Sequence, residues 1–372
     1  MRVVLERSNI AKALAHVQRV VERRNTIPIL SNVLLRARDG TLTLKATDLD
    51  LEVTEEVPAV VEGEGATTVP AHMLYDIVRK LPDGAEVRLA TDGDEQVMTL
   101  SAGRSEFRLQ MLPQDDFPDL TTGPMEHAFK IAPADLKLII DRTQFAISTE
   151  ETRYYLNGIY LHAVEDDAGP MLRGVATDGH RLAQAQVPAP EGTAGMPSVI
   201  VPRKTVAELQ KLLDGTEDTV EVEVSDAKIR VTAGPIVLTS KLIDGTFPDY
   251  NRVIPTGNPK KLLLDRATFA SAVDRVSTIS SERGRAVKMS LADGQMRLTV
   301  NNPDSGSAEE ELPVGYEDDA LDIGFNSRYL LDIASQLTGD ETTFMLADPG
   351  SPTLIRDAGE TGALYVLMPM RV

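Results

Sequence analysis

The sequence predicts an α+β chain made of three tandem copies of one unit, each with two helices and antiparallel sheets. Three observations predict it. Segments of one layout open near residues 1, 127 and 260: "MRVVLERSNIAKALAHVQRVVE", "HAFKIAPADLKLIIDRTQFAIS" and "KKLLLDRATFASAVDRVSTIS". A strand–turn–strand meander and a second helix follow each of them. The corner Phe-Pro-Asp closes copies one and two, at 117–119 and 247–249, and the chain stops where a third is due. Self-similarity at a fixed period is the mark of a repeated architecture.

Each copy opens with a short alternating strand. A polar or proline step such as Ser8, Pro133 or Asp265 then starts a helix. In the third copy Phe269, Val273, Val276 and Ile279 recur at spacings of three and four, one apolar face of that helix. "RDGT" and its counterparts turn the meanders. "PAHMLYDIVRKL", "PRKTVAELQKLL" and "NSRYLLDIASQL" form the second helices, and further alternating strands lead to the corner. Each copy has about eight strands and about 125–130 residues, a usual domain size. The domains span 1–124, 127–256 and 259–372. Their joints "TTGPMEH" and "NRVIPTGNPKK" are too short for flexible linkers.

The chain has 372 residues, 42% of them hydrophobic, with no Cys and no Trp. Disulfides, thiolate metal sites and cysteine nucleophiles are excluded, which fits a cytoplasmic protein. No apolar run approaches a membrane span, and "MRVVLERSNI" has no signal-peptide core. The net charge of −19 is unevenly spread. Predicted helices at 8–24, 70–81 and 202–213 carry +3, +1 and +2, while those at 133–148, 265–280 and 326–337 are neutral. The acid lies in strands and loops such as "DLDLEVTEEV" and "AEEELPVGYEDD". Helices sharing one surface would offer a basic face on an acidic body, suited to phosphate backbones.

"TIPILSNVLL", "TDLDLEV", "RYYLNG", "VATDGHRLA", "VPRK", "SKLIDGTFPDY" and "YVLMPMRV" resemble, in order from first residue to last, the bacterial DNA polymerase III beta subunit family, the sliding clamps. The resemblance implies three DNA-clamp domains, and a six-domain ring closed as a head-to-tail homodimer. It implies that the ring encircles double-stranded DNA, binding it without regard to sequence. A clamp loader places it, and it tethers the replicative polymerase and repair or translesion factors by short apolar peptides. It implies no cofactor, no metal and no catalysis; nucleotidyl transfer belongs to the partner polymerase.

The resemblance also places a partner-peptide pocket between copies two and three. One wall is Leu156, Thr177, Gly179, His180, Arg181 and Leu182. Pro248, Arg252 and Val253 line the crossing. Asn326, Tyr329, Val366, Met368, Pro369, Met370 and Arg371 form the other wall. Adaptable methionines suit a surface that accepts several partners. It sets Arg24, Tyr154, Tyr155, Arg203 and Lys204 toward DNA. Cations at a helix start, as in "VPRK", are disfavoured by the helix dipole, which points to a ligand. Two positions depart from the family: His72 and Met73 stand where basic residues are common, and Gly284 where an aromatic can flank the pocket.

Ring closure needs one surface from each end of the chain. Phe107 and Leu109, with Arg104 and Arg108 nearby, face Ile279 and the run Glu309, Glu310 and Glu311 in this reading, an apolar contact flanked by opposite charges. Two other readings stand beside the clamp: a hydrolase using Asp178, His180 and Arg181, and an acidic scaffold that never meets DNA. No zinc-type spacing and no phosphate-binding loop supports an enzyme. Turnover by the isolated protein, or failure to stay on circular DNA, would single out these alternatives.

Overall fold

The computed structural model describes residues 1–93, 96–121, 123–280, 285–359 and 362–372. Copy one contains β1 (Arg2–Glu6), α1 (Arg7–Val17), β2 (Asn32–Arg38), β3 (Thr41–Thr47), β4 (Leu51–Pro58), β5 (Val60–Gly63), β6 (Gly65–Pro70), α2 (Ala71–Val78), β7 (Glu86–Thr91), β8 (Val97–Ala102) and β9 (Ser105–Gln110). Copy two contains β10 (His127–Ile131), α3 (Pro133–Thr143), β11 (Gly158–Asp166), β12 (Gly169–Thr177), β13 (Arg181–Pro188), β14 (Val199–Pro202), α4 (Arg203–Leu213), β15 (Val220–Val224), β16 (Lys228–Ala233) and β17 (Ile236–Lys241). Copy three contains β18 (Lys260–Asp265), α5 (Arg266–Ser277), β19 (Ala286–Ala292), β20 (Gln295–Asn302), β21 (Gly306–Pro313), β22 (Leu321–Asn326), α6 (Ser327–Gln336), β23 (Glu341–Leu346), β24 (Thr353–Asp357) and β25 (Ala363–Leu367).

The three copies wire their strands alike. The runs β1-β7-β8-β9, β10-β15-β16-β17 and β18-β23-β24-β25 correspond, as do β6-β2-β3-β4, β14-β11-β12-β13 and β22-β19-β20-β21. Consecutive copies then merge sheets. β17 pairs antiparallel with β4, giving one eight-stranded sheet, and β25 pairs with β13, giving another. The chain forms two compact units: residues 1–133, 191–197 and 207–242, and residues 134–190, 198–206 and 243–372. The first unit holds the five-stranded sheet and the sheet joined at β17–β4. The second holds the sheet joined at β25–β13 and the four-stranded sheet. Merged sheets explain joints too short to be linkers.

Alternation sets each strand's inner face, as in β20, where Met296, Leu298, Val300 and Asn302 are buried between exposed or half-buried neighbours. The turns "RDGT" and "ADGQ" put both central residues at positive φ, Asp39 and Gly40 at 47° and 75°, Asp293 and Gly294 at 49° and 74°. That is the hairpin turn whose twist matches its strands.

Several helices are shorter than their apolar spacing predicts. α1 ends at Val17 rather than near Arg24, because Val20 and Val21 donate to Val17 and Gln18 carbonyls in tighter turns. α2 ends at Val78, and Pro82 bars continuation. α5 begins as expected, with Asp265 accepting from the Thr268 amide at 2.7 Å. It stops at Ser277, where the Ser277 and Thr278 hydroxyls turn back to the Val273 and Asp274 carbonyls, so Ile279 lies beyond the helix. With these bounds α1 and α4 each carry two more basic than acidic residues, and α2 carries one more acidic than basic. The basic surplus sits in α1, α4 and the turn after α1.

Candidate functional site

The loop between β12 and β13 is built by its own side chains. Asp178 Oδ1 accepts from the amides of His180 at 2.9 Å and Arg181 at 3.0 Å, and Thr177 Oγ1 accepts from the Gly179 amide at 3.2 Å. Gly179 has φ +87°, and a Cβ there would lie 2.6 Å from Arg153 Nη1. This turn presents His180 to solvent and sends the Arg181 side chain inward.

Arg181 holds the two walls together. Its Nε meets Asp178 Oδ2 at 3.1 Å, Nη1 meets Asp332 Oδ2 on α6 at 2.5 Å, and Nη2 donates to the Phe145 carbonyl at 2.8 Å. The guanidinium also lies 4.2 Å from the Tyr329 ring centre and 5.1 Å from that of Phe145. The side chain is only 10% exposed. Its charge is paired inside the protein, where it positions Tyr329 and the loop.

Below the loop lies an apolar cluster of Leu156, Val175, Leu182, Ile200, Phe247, Tyr250 and Val366. The Phe-Pro-Asp corner supplies Phe247, whose ring stacks on Tyr160 with centroids 4.8 Å apart and planes 2° from parallel. Tyr250 ends the corner. Its hydroxyl lies 2.9 Å from His162 Nε2 and accepts from Arg173 Nη1 at 3.1 Å. Arg173 is held by Asp166 and Gln186. Burial, and then the neighbouring Arg173 charge, hold His162 down to about 4, so it is the neutral ring that meets Tyr250.

Around this floor the exposed side chains include apolar and basic ones. Val253 is 48% exposed, Met368 40% and Met370 36%. Pro248, Arg252 and Arg371 are exposed, and Arg252 pairs with Asp249 at 3.0 Å. The chain's end is tied down. The Met368 amide donates to the His180 carbonyl at 3.0 Å and the Met370 amide to Gly324 at 2.7 Å, with Pro369 between them. Asn326 caps α6, accepting from the Arg328 and Tyr329 amides, so it shapes the wall through the helix it starts. The predicted pocket residues thus converge in one compact unit. Tyr160, His162, Arg173, Phe145 and Asp332 escape a reading of the sequence, though Tyr160 and His162 share a strand face by their spacing of two.

The N-terminal, central and C-terminal domains of the DNA polymerase III beta subunit match residues 1–121, 130–249 and 251–371. The chain belongs to the DNA polymerase III beta subunit family. Among beta sliding clamps, that of Caulobacter vibrioides (strain NA1000 / CB15N) is 52% identical over 372 residues, covering 100% of both chains. That of Escherichia coli (strain K12) is 41% identical over 373 residues with the same coverage. The structure of the Bartonella birtlesii DnaN sliding clamp bound to griselimycin superposes with a TM-score of 0.97 at 59% identity, covering 100% of each chain. That of the Pseudomonas aeruginosa DnaN sliding clamp bound to griselimycin does so at 0.94 and 40%, again over 100% of each.

The remaining residues that this family suggests lie as follows. Arg24 is exposed, beyond the end of α1. Tyr154 is 53% exposed, and its ring meets half-buried Tyr155 edge-on. Arg203 is exposed at the first turn of α4, and Lys204 is half-buried. Phe107 is half-buried on β9, whereas Leu109 is 3% exposed and fills its own sheet's core. Phe107 instead lines a cavity of about 540 Å³ with Met73, Ile77 and Leu81. Met73 thus shares an apolar lining with Phe107 of β9. Ile279 is half-buried. Glu310 pairs with Arg275 at 2.5 Å, while Glu309 and Glu311 pair with Arg297. Gly284 lies outside the described residues. Among the described residues no cluster of His, Asp and Glu could hold a metal ion, and no helix is long and apolar enough to cross a membrane.

Proposed function

We propose that two copies of the chain close head to tail into a ring of six clamp domains, bounded at 1–124, 127–256 and 259–372. The ring encircles double-stranded DNA in the cytoplasm and tethers the replicative polymerase, the clamp loader and repair factors. It performs no chemistry; the polymerase does. The observation that carries this is a pair of open strand edges. β17 joins β4, and β25 joins β13. By the same wiring the counterparts still open are β9, at the end of the five-stranded sheet, and β21, at the end of the four-stranded sheet. A second copy offers β21 to β9 and β9 to β21, so one rule applied at every joint closes the assembly. Exposed sheet edges otherwise invite uncontrolled pairing. Phe107 and its cavity, with Arg104 and Arg108, then meet Ile279 and the acidic run Glu309, Glu310 and Glu311, supplying apolar contact and charge complementarity.

Arg24, Tyr154, Tyr155, Arg203 and Lys204 face DNA in this reading and touch its backbone without reading bases. The acidic remainder disfavours DNA elsewhere. Mass measurement of the wild type is expected to give a dimer, and Phe107→Glu with Ile279→Glu a folded monomer. The wild type is expected to stay on closed circular DNA in salt that strips it from linear DNA, since only linear DNA lets a ring slide off. Equal loss from both forms would refute encirclement. The pocket takes an extended segment with apolar anchors, and griselimycin is the available probe because two relatives bind it. Deleting residues 368–372 is expected to abolish griselimycin binding while the dimer persists.

A further inference from the structure

The pocket's apolar floor has a counterpart where copies one and two meet, wholly within the first compact unit. Strand register identifies it. Leu34 pairs with Lys45 as Tyr160 pairs with Val175, and Glu52 pairs with Thr239 as Leu182 pairs with Val366. Lys45 therefore stands for Val175, Glu52 for Leu182 and Thr239 for Val366. Thr68 stands for Ile200, since Thr68 receives the Leu112 amide as Ile200 receives the Ile243 amide.

The overlying loop is repeated too. Asp48 Oδ1 accepts from the amides of Asp50 at 3.0 Å and Leu51 at 2.7 Å, and Leu49 has φ 79° where Gly179 has 87°. Asp50 thus stands for His180. Lys241 stands for Met368, as its amide donates to the Asp50 carbonyl at 2.8 Å.

The backbone frame is the same and the chemistry is opposite. Lys45 Nζ lies 3.2 Å from Glu52 Oε1 and 3.2 Å from Asp119 Oδ1. Glu52 Oε2 accepts from the Leu120 amide at 3.1 Å, and its side chain is 1% exposed. Burial pushes the Glu52 carboxyl above its ordinary range, the mark of a charge taken out of water. At the rim Lys241 Nζ meets Asp50 Oδ1 at 3.1 Å. The Thr239 hydroxyl is buried without a hydrogen-bond partner among the described residues. An apolar anchor entering here would have to break these ion pairs and leave buried charges unpaired, which is strongly unfavourable.

We propose that Lys45, Glu52, Asp50 and Lys241, with Thr68 and Thr239, are specificity determinants that confine apolar peptide docking to one of the two equivalent joints in each chain. This rests on the pocket reading above. One repeated frame thereby yields a single docking site per chain, the other joint being closed by charge rather than by shape.

The test is a graft: Lys45→Val, Glu52→Leu, Asp50→His, Lys241→Met, Thr68→Ile and Thr239→Val in the full chain. Calorimetric titration with griselimycin is expected to rise from one site per chain in the wild type to two in the graft. The second site should survive deletion of residues 368–372, which removes the first. A folded graft that still binds one equivalent overturns the proposal. Should the graft not fold, Lys45→Met with Glu52→Gln serves, because Gln keeps an acceptor for the Leu120 amide. Griselimycin is then expected to shift the Leu120 amide resonance in that pair and not in the wild type. No shift in the pair overturns the proposal. A wild type that binds no griselimycin, or that keeps its one site after the deletion, refutes the pocket reading itself.

Discussion

His162 is a buried base under the Phe-Pro-Asp corner, and acid should expose that. Folding holds it down to about 4, from an ordinary value near 6.5, through burial first and Arg173 second; a backbone group of Tyr160 opposes them in part. A depressed histidine contributes stability that is complete above the unfolded value. That stability is lost as pH falls from 6.5 toward 4, because the unfolded chain takes up the proton first. The full span is worth about 3.4 kcal/mol at 1.36 kcal/mol per unit, and the part between pH 7 and pH 5 is about 2 kcal/mol. The perturbation is His162→Gln, which can still bond the Tyr250 hydroxyl but does not titrate. Denaturant unfolding of wild type and variant at the two pH values gives a difference of differences in which the other titrating groups cancel. The wild type is expected to lose about 2 kcal/mol more than the variant over that interval. Equal losses would show that His162 titrates alike folded and unfolded, and would refute its role as a neutral support for Tyr250.

Two further changes probe the pocket's frame. Arg181→Ala leaves Asp178 and Asp332 facing each other without their cation and is expected to cost about 3–5 kcal/mol, read by denaturant unfolding. Asp332→Asn, which retains an acceptor, should cost about 1–2 kcal/mol, and a reversed order would refute Arg181 as the tie between the walls. Gly324→Ala puts a Cβ about where Val372 Cγ1 lies 2.2 Å away and the Met370 carbonyl 2.8 Å away. It is expected to lift the tail, seen as protease sensitivity after Leu367 and at least a tenfold loss of griselimycin affinity, about 1.4 kcal/mol; unchanged digestion would show that the tail does not rest on β22.

Triplication was legible because it is a pattern of spacings. So were the Asx loop at Asp178 and the Asp265 cap, whereas Leu156, Leu182 and Val366 entered only through the resemblance, which set them in two walls. What crosses between distant strands was not. Phe107 and Leu109 share a strand face by alternation, yet one lines a cavity and the other fills the core, because only the packed sheets decide which end of a face is covered. Arg181 stands beside Asp178 in the sequence, but its other carboxylate partner, Asp332, lies 151 residues on. The ends of α1 and α5 differ from the spacing because apolar spacing continues past them, while tighter turns after Val17 and back-bonding hydroxyls at Ser277 and Thr278 end the helices.

The corner that recurs in the sequence takes a different ending in each copy. After the last strand of every copy the chain crosses to the equivalent edge strand: the Leu112 amide donates to Thr68, that of Ile243 to Ile200, and that of Met370 to Gly324. From this shared crossing, copy one runs on to Leu120, whose amide is taken by buried Glu52, a polar lock. Copy two runs on to Tyr250, whose hydroxyl is taken by His162 and Arg173 while Phe247 stacks on Tyr160, an apolar floor with a polar anchor behind it. Copy three makes the crossing at Met370. Its edge strand carries Gly324 where the others carry Thr68 and Ile200, and Val372 occupies the space that a side chain would take. The tail thus lies beside an apolar floor with Met368 and Met370 left partly exposed.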